Sequence, residues 1–194
     1  MIAKKLSVKK LFELAFNKHS NNNFEEAEIL YKKILKIDQN HFESIYLLGT
    51  IYAQTKKYKN AEKLLKKSIV VNSKFAEAHN NLGNVSYSLG KYQEAIFNYQ
   101  NAIKINSNFA ESHSNLAFVY LKINKYKEAI SSYKNSININ PNNEVAHYNL
   151  GNIFHELDKN EKAISCYQKA IEIKPEYAKA YNNIGFVFQK LYKY

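Results

Sequence analysis

The chain reads as an all-α solenoid of stacked antiparallel helix pairs, and three features of the sequence predict it. A block of eight residues returns every 34 residues with no insertion. Some columns of that repeat hold only small side chains, and others only large ones. Between them, apolar residues recur at helical rather than alternating spacing.

The register is set by Ala76-Glu-Ala-His-Asn-Asn-Leu-Gly83. It returns as Ala110-Glu-Ser-His-Ser-Asn-Leu-Ala117, Glu144-Val-Ala-His-Tyr-Asn-Leu-Gly151 and Ala178-Lys-Ala-Tyr-Asn-Asn-Ile-Gly185. Extended backward without gaps, it gives starts at Phe42 and Val8. A single array over residues 1–194 follows, with units starting at 8, 42, 76, 110, 144 and 178. Five units are complete and the sixth holds only its first helix. Within each unit the spacing predicts helix A over roughly positions 1 to 14 and helix B over roughly positions 18 to 30. A hairpin that short cannot bury its apolar face alone, so stacking on neighbours is obligatory and one continuous core is expected.

Each column has a physical reason. Position 7 is Leu14, Leu48, Leu82, Leu116, Leu150 and Ile184, and position 8 is always Ala or Gly. Position 20 is Ala27, Ala61, Ala95, Ala129 and Ala163, and position 24 is tyrosine except at Leu65. Small residues at 8 and 20 let two helices approach closely while the large ones fill the flanking gaps. Glycine inside a helix costs about 1 kcal/mol relative to alanine, so four in one column imply close packing. Gly90 falls in the turn between helices, where a left-handed backbone is useful. Pro141 and Pro175 sit at position 32, where helix B has ended.

Composition narrows the function classes. No run of apolar residues is long enough to span a membrane. The N-terminus lacks an apolar signal region, and the single cysteine, Cys166, permits no internal disulfide. A soluble cytoplasmic protein is expected. The net charge of +11 comes from 28 basic residues, all of them lysine. Without the arginine fork that reads bases and phosphates, nucleic acid is disfavoured as a partner. Lys4, Lys5, Lys9 and Lys10 beside Leu11, Phe12 and Phe16 would suit a membrane-surface helix, but Leu14 and Ala15 hold repeat register and favour a first repeat helix.

On these residues the chain resembles the tetratricopeptide repeat from residue 8 to residue 194. The family pattern falls on Leu82, Gly83, Tyr92, Ala95 and Tyr99 of the third unit, with Pro141 and Pro175 supplying its proline. His79, His113 and His147 stand where the family commonly has tryptophan. The resemblance implies a right-handed superhelix whose concave groove, lined by helix A, binds extended peptide or protein segments. It implies an interaction scaffold and no enzyme. In this family positions 2, 5, 6, 9, 12 and 13 of helix A face that groove.

Position 6 then becomes the leading site: Asn81, Asn115, Asn149 and Asn183, following Glu13 and Leu47. An amide side chain donates and accepts together, so a ladder of them would grip a peptide backbone whatever its sequence. The stretch from Ala76 is similar to the asparagine ladder of the repeat arm of O-linked N-acetylglucosamine transferases. Asn80, Asn84, Asn152 and Asn182 thicken the same face, and Tyr87, Phe118 and Tyr148 offer aromatic anchors. Two other readings stand beside this one: a chain with 26 asparagines fills columns by composition, and the amides can instead bond neighbouring helices. No lysine occupies position 5, which disfavours an acidic C-terminus as ligand.

No cofactor is implied. The three histidines lie in register on parallel helices and do not converge as a metal requires. Cys166 has no column role, so a catalytic thiol is not expected. The sequence stops at Leu191-Tyr-Lys-Tyr194, where helix B of the sixth unit would begin. That leaves a second reading: the substrate-recognition arm of a larger enzyme, such as a glycosyltransferase, with its catalytic domain beyond residue 194. It also predicts that Ile184, Val187, Phe188 and Leu191 are exposed, or covered by a second copy through self-association.

Overall fold

A computed structural model describes the backbone of residues 2–191, and side chains from residue 7 to residue 191. The side chains of Lys4 and Lys5 and the segment 192–194 lie outside the described residues. The described chain is all helix and turn. The helices are α1 (Ile2–Ser20), α2 (Phe24–Ile37), α3 (Phe42–Gln54), α4 (Tyr58–Val71), α5 (Ala76–Ser88) and α6 (Tyr92–Ile105), then α7 (Ala110–Lys122), α8 (Tyr126–Ile139), α9 (Glu144–Glu156), α10 (Asn160–Ile173) and α11 (Ala178–Leu191). Helix A occupies positions 1 to 13 and helix B positions 17 to 30, within one residue of the expected bounds; only α1 starts earlier. No described helix is long and apolar enough to cross a membrane.

Each hairpin turns the same way. Position 15 is left-handed in every complete unit: Asn22 (φ 58°), Lys56 (59°), Gly90 (74°), Asn124 (59°) and Asp158 (56°). The next N–H then reaches back to a carbonyl five residues earlier, as Lys57 N to Tyr52 O (2.8 Å) and Lys159 N to Phe154 O (2.8 Å). That closure satisfies an orphan carbonyl at the helix end. Glycine, asparagine and aspartate tolerate the conformation; Lys56 bears its steric cost.

The packing columns are those of the sequence, except that Leu14 at position 7 is 47% exposed. Every alanine at position 20 is fully buried, as are Ala78, Ala146 and Ala180 at position 3. A β-carbon on Gly83 would stand 2.5 Å from the Tyr99 ring, and one on Gly151 would stand 2.6 Å from that of Tyr167. In these two units the missing β-carbon leaves the room that the Tyr99 and Tyr167 rings occupy. His79 and His113 are buried, and each of the three in-register histidines bonds through Nε2 to the position-32 carbonyl before it: Ser73 O (3.2 Å), Ser107 O (3.2 Å) and Pro141 O (3.0 Å). The histidine column fills the bulky slot and also ties down the turn from the preceding helix B.

Among the described residues, buried apolar side chains cluster within each of two compact units, Met1–Ile105 and Asn106–Tyr194. Towards the end of the first unit, α5 and α6 bury the polar His79, Asn80, Ser86 and Asn98 among apolar residues. One finding at the C-terminal end differs from expectation. On α11, Val187 is fully buried instead of exposed. It occupies position 10, the inward column that also buries Ile51, Val85, Val119 and Ile153. Phe188 and Leu191 are 40% and 43% exposed, and Gly185 faces open space within 4 Å, because no described helix presses on that side as α10 presses on α9.

Candidate peptide-binding surface

Among the described residues, the helix-A face carries a cavity in each unit. In the first, of about 500 Å³, Tyr46, Leu47, Thr50, Ala53 and Gln54 of α3 meet His19 of α1 and Asn81 and Asn84 of α5. None of these side chains is a lysine or a carboxylate. In the second unit a cavity of about 370 Å³ is lined by Phe118, Leu121 and Lys122 of α7, Asn124 and Tyr126 after it, and Asn149, Asn152 and Glu156 of α9. Most of these residues stand at positions 5, 6, 9, 12 and 13 of their repeats.

The asparagines are organised by tyrosines. In the first unit Asn81 Nδ2 donates to Tyr46 Oη at 2.9 Å, reaching from one repeat to the one before it. Tyr99 Oη donates to Asn84 Oδ1 at 2.7 Å. In the second unit the same pattern recurs more fully. Tyr167 Oη donates to Asn152 Oδ1 (2.9 Å), and Asn183 Nδ2 donates to the same oxygen (2.8 Å) and weakly to Tyr148 Oη (3.3 Å). Bonds between neighbouring helices, the reading left open above, are therefore part of what these amides do. Burial pushes the Tyr167 hydroxyl up to about 12, Asn183 pulling slightly the other way, so it stays a neutral donor.

A sequence rule accounts for which tyrosines are paired. Where positions 8 and 9 are Gly-Asn, as in Gly83-Asn84 and Gly151-Asn152, the hydroxyl finds the asparagine. Where they are Ala-Phe, as in Ala15-Phe16 and Ala117-Phe118, Tyr31 and Tyr133 bury hydroxyls with no well-formed hydrogen bond. Burial raises both, Tyr31 to about 12; at Tyr133 the Asn149 amide lowers the pKa against that larger upward push.

The remaining expected site residues are scattered. Asn80 is only 2% exposed and interacts inside the packing, so its amide is withdrawn from the surface. Asn182 is exposed, and Asn115 reaches back along its own helix to Glu111 Oε1 at 3.5 Å. Tyr148 is half-buried between the rings of Tyr167 and Tyr177, at 5.8 and 5.1 Å. Tyr87 is half-buried beside Tyr92 at 5.7 Å. Phe118 carries the Lys122 ammonium 5.6 Å above its ring. Of these residues only Phe118 lines either cavity. Sequence reasoning missed His19, Thr50, Gln54 and Glu156 as lining residues, although their positions 9, 12 and 13 were the available signal. Burial pushes the Cys166 thiol up to about 11, which leaves it protonated and a poor nucleophile near neutrality. Among the described residues no group of His, Cys, Asp or Glu is gathered to hold a metal.

Comparison with known proteins agrees with the repeat. Residues 3–147 match the family model of the tetratricopeptide repeat protein 21 C-terminal ARM domain; residues 132–165 match a tetratricopeptide repeat model and residues 151–191 a TPR repeat model. No curated protein matches the chain at a significant level. Among solved structures, MamA is 30% identical, covering 85% of this chain and 96% of its own, with a TM-score of 0.78. YrrB, described as a TPR protein with an unusual peptide-binding site, is 23% identical over 93% of this chain and 97% of its own, with a TM-score of 0.77. PilF of Pseudomonas aeruginosa is 19% identical over 92% of this chain and 81% of its own, with a TM-score of 0.81. The last two share the fold. With its register, its packing columns and these matches in agreement, the chain belongs to the tetratricopeptide repeat family.

Proposed function

We propose that this protein is an interaction scaffold whose helix-A faces hold extended, largely uncharged segments of partner proteins. The observation that carries the reading is the cavity of the first unit, about 500 Å³ and free of lysines and carboxylates in a chain of net charge +11. A peptide backbone is the ligand such a surface suits, because it is neutral and rich in donors and acceptors. The tyrosine contacts orient the amides. With Nδ2 donating to Tyr46 in one case and to Tyr148 and Asn152 in the other, the Oδ1 atoms of Asn81 and Asn183 are the acceptors for a peptide N–H in this reading. Asn115 and Asn149 complete the set, and Phe118 and Tyr46 receive apolar side chains. That YrrB is described by a peptide-binding site supports the same use of the fold.

The test is a peptide selected from an unstructured library, titrated against the protein at two ionic strengths. Each asparagine contact is worth roughly 0.5–1.5 kcal/mol, so replacing Asn81, Asn115, Asn149 and Asn183 together by Ala should weaken binding by about 2–6 kcal/mol if they act independently. Salt should matter little, because the contacts are amides. Unchanged affinity in a folded quadruple variant removes the ladder, and steep salt dependence assigns binding to the lysines.

A further inference from the structure

We propose that the outer face of α2, α4 and α6 docks on an anionic lipid bilayer. The face is the side of helix B opposite the buried column at positions 20, 24 and 27, and it carries positions 22, 26 and 29. On α2 these are Ile29, Lys33 and Lys36; on α4, Lys63, Lys67 and Val70; on α6, Phe97 and Lys104 flank Asn101. Val70 is 84% exposed, Phe97 62% and Ile29 54%. Among the described residues Lys33, Lys36, Lys63 and Lys104 make no ion pair, and Lys67 donates to the carbonyl of Gln39 at 2.6 Å.

The acids nearby are already engaged. Glu28 binds Lys32 and Lys57, Glu62 binds Lys66 and Lys91, and Glu94 lies 3.7 Å from Lys66. The Lys32 and Lys66 pairs with Glu28 and Glu62 lie within one helix, and the Glu28–Lys57, Glu62–Lys91 and Lys66–Glu94 pairs run from one hairpin to the next. Glu25, one turn before Ile29, is exposed, and Glu26, two turns before Lys33, pairs with Lys18 at 2.7 Å. The combination of lysines with exposed apolar side chains is not repeated further along, although α8 carries exposed Lys127 and Lys134. The same columns on α8 are Ser131, Asn135 and Asn138, and on α10 they are Ser165 with Lys169 and Glu172 paired at 2.5 Å.

Lysines around isolated apolar knobs match a bilayer surface of anionic headgroups over hydrocarbon: the ammoniums meet the charge while the knobs enter the acyl boundary. Exposed Ile, Val and Phe side chains have no such use on a phosphate backbone, and the arginines that read nucleic acid are absent.

The experiment is flotation of the intact protein with phosphatidylcholine vesicles, with and without roughly 30% phosphatidylserine. Binding only to the anionic vesicles is expected. Each lysine near such a surface contributes about fivefold, so Lys33→Glu/Lys63→Glu/Lys67→Glu should weaken binding at least on the order of a hundredfold. Ile29→Ser/Val70→Ser/Phe97→Ser should abolish the binding that survives high salt. The control Lys127→Glu/Lys134→Glu on α8 should change little. All of these residues are exposed, and circular dichroism checks that each variant keeps its helicity. No binding to phosphatidylserine vesicles, or an equal loss in the α8 control, overturns the proposal. So does tighter binding to a fluorescent duplex oligonucleotide that the apolar triple variant leaves unchanged.

Discussion

Gly151→Ala and Gly185→Ala make the same chemical change in the same column of the repeat, yet they should move stability in opposite directions. Glycine in a helix interior is about 1 kcal/mol worse than alanine, so each substitution starts with that gain. At Gly185 no packing neighbour among the described residues comes within 4 Å of the new methyl, so the gain of about 1 kcal/mol should appear in full. At Gly151 the methyl would stand 2.6 Å from the Tyr167 ring. An ordinary carbon contact is about 3.5–4.0 Å, so the ring must retreat by roughly 1 Å. Overpacking of that kind costs about 1–3 kcal/mol. The retreat also draws the Tyr167 hydroxyl from Asn152, losing about 0.5–1.5 kcal/mol. The chain contains the relaxed arrangement already: opposite Ala117, Tyr133 is accommodated with no well-formed bond to its hydroxyl. The net expectation for Gly151→Ala is a loss of about 0.5–3.5 kcal/mol. Urea unfolding followed by circular dichroism measures it, and hydrogen exchange shows whether the loss falls on α9 and α10. Equal stabilisation by the two substitutions would refute the reasoning, because the tyrosine would then not be what keeps the column small.

Further predictions follow from the same packing. Tyr133→Phe should be neutral or stabilising by up to about 1 kcal/mol, since it removes a buried hydroxyl without a well-formed bond, whereas Tyr167→Phe should cost about 0.5–1.5 kcal/mol; paired thermal melts compare them. Lys56→Gly should raise stability by up to about 1 kcal/mol by relieving a left-handed lysine, and a lower denaturation midpoint would count against it. Tyr31 and Tyr167 have folded pKa values raised by burial from the ordinary 10 to about 12. The folded state therefore favours their protonated forms. Their contribution is fully present below about pH 10 and is lost as pH rises through 10 to 12, so tyrosinate absorbance should appear together with loss of helix in that window. Early tyrosinate absorbance in a fully helical protein would contradict this.

The repeat register was legible in the residues because it rests on local chemistry. Alanine at position 20, the small residue at position 8 and helical apolar spacing each act within one hairpin, and hairpins of fixed length place the same columns at the same faces. Gly90 announced its turn for the same reason. Its equivalents Asn22, Lys56, Asn124 and Asp158 did not, since nothing about a lysine demands positive φ. The asparagine column was equally visible, but what an amide does is decided by what stands opposite. Only the folded chain brings Tyr46 to Asn81, and Tyr148, Tyr167 and Asn152 to Asn183. The same holds for Asn80, whose column is half-buried or exposed in every other described repeat and which α5 turns inward, and for Val187, which neighbouring helices cover although its own helix B is absent from the described residues. Sequence by itself determined the helices, their order and the faces they share, because those depend on interactions a few residues apart. Tertiary structure decided which polar groups are used up, which tyrosines are satisfied and which lysines stand unpaired, because hydrogen bonds and ion pairs depend on ångström-scale placement of side chains far apart in the chain.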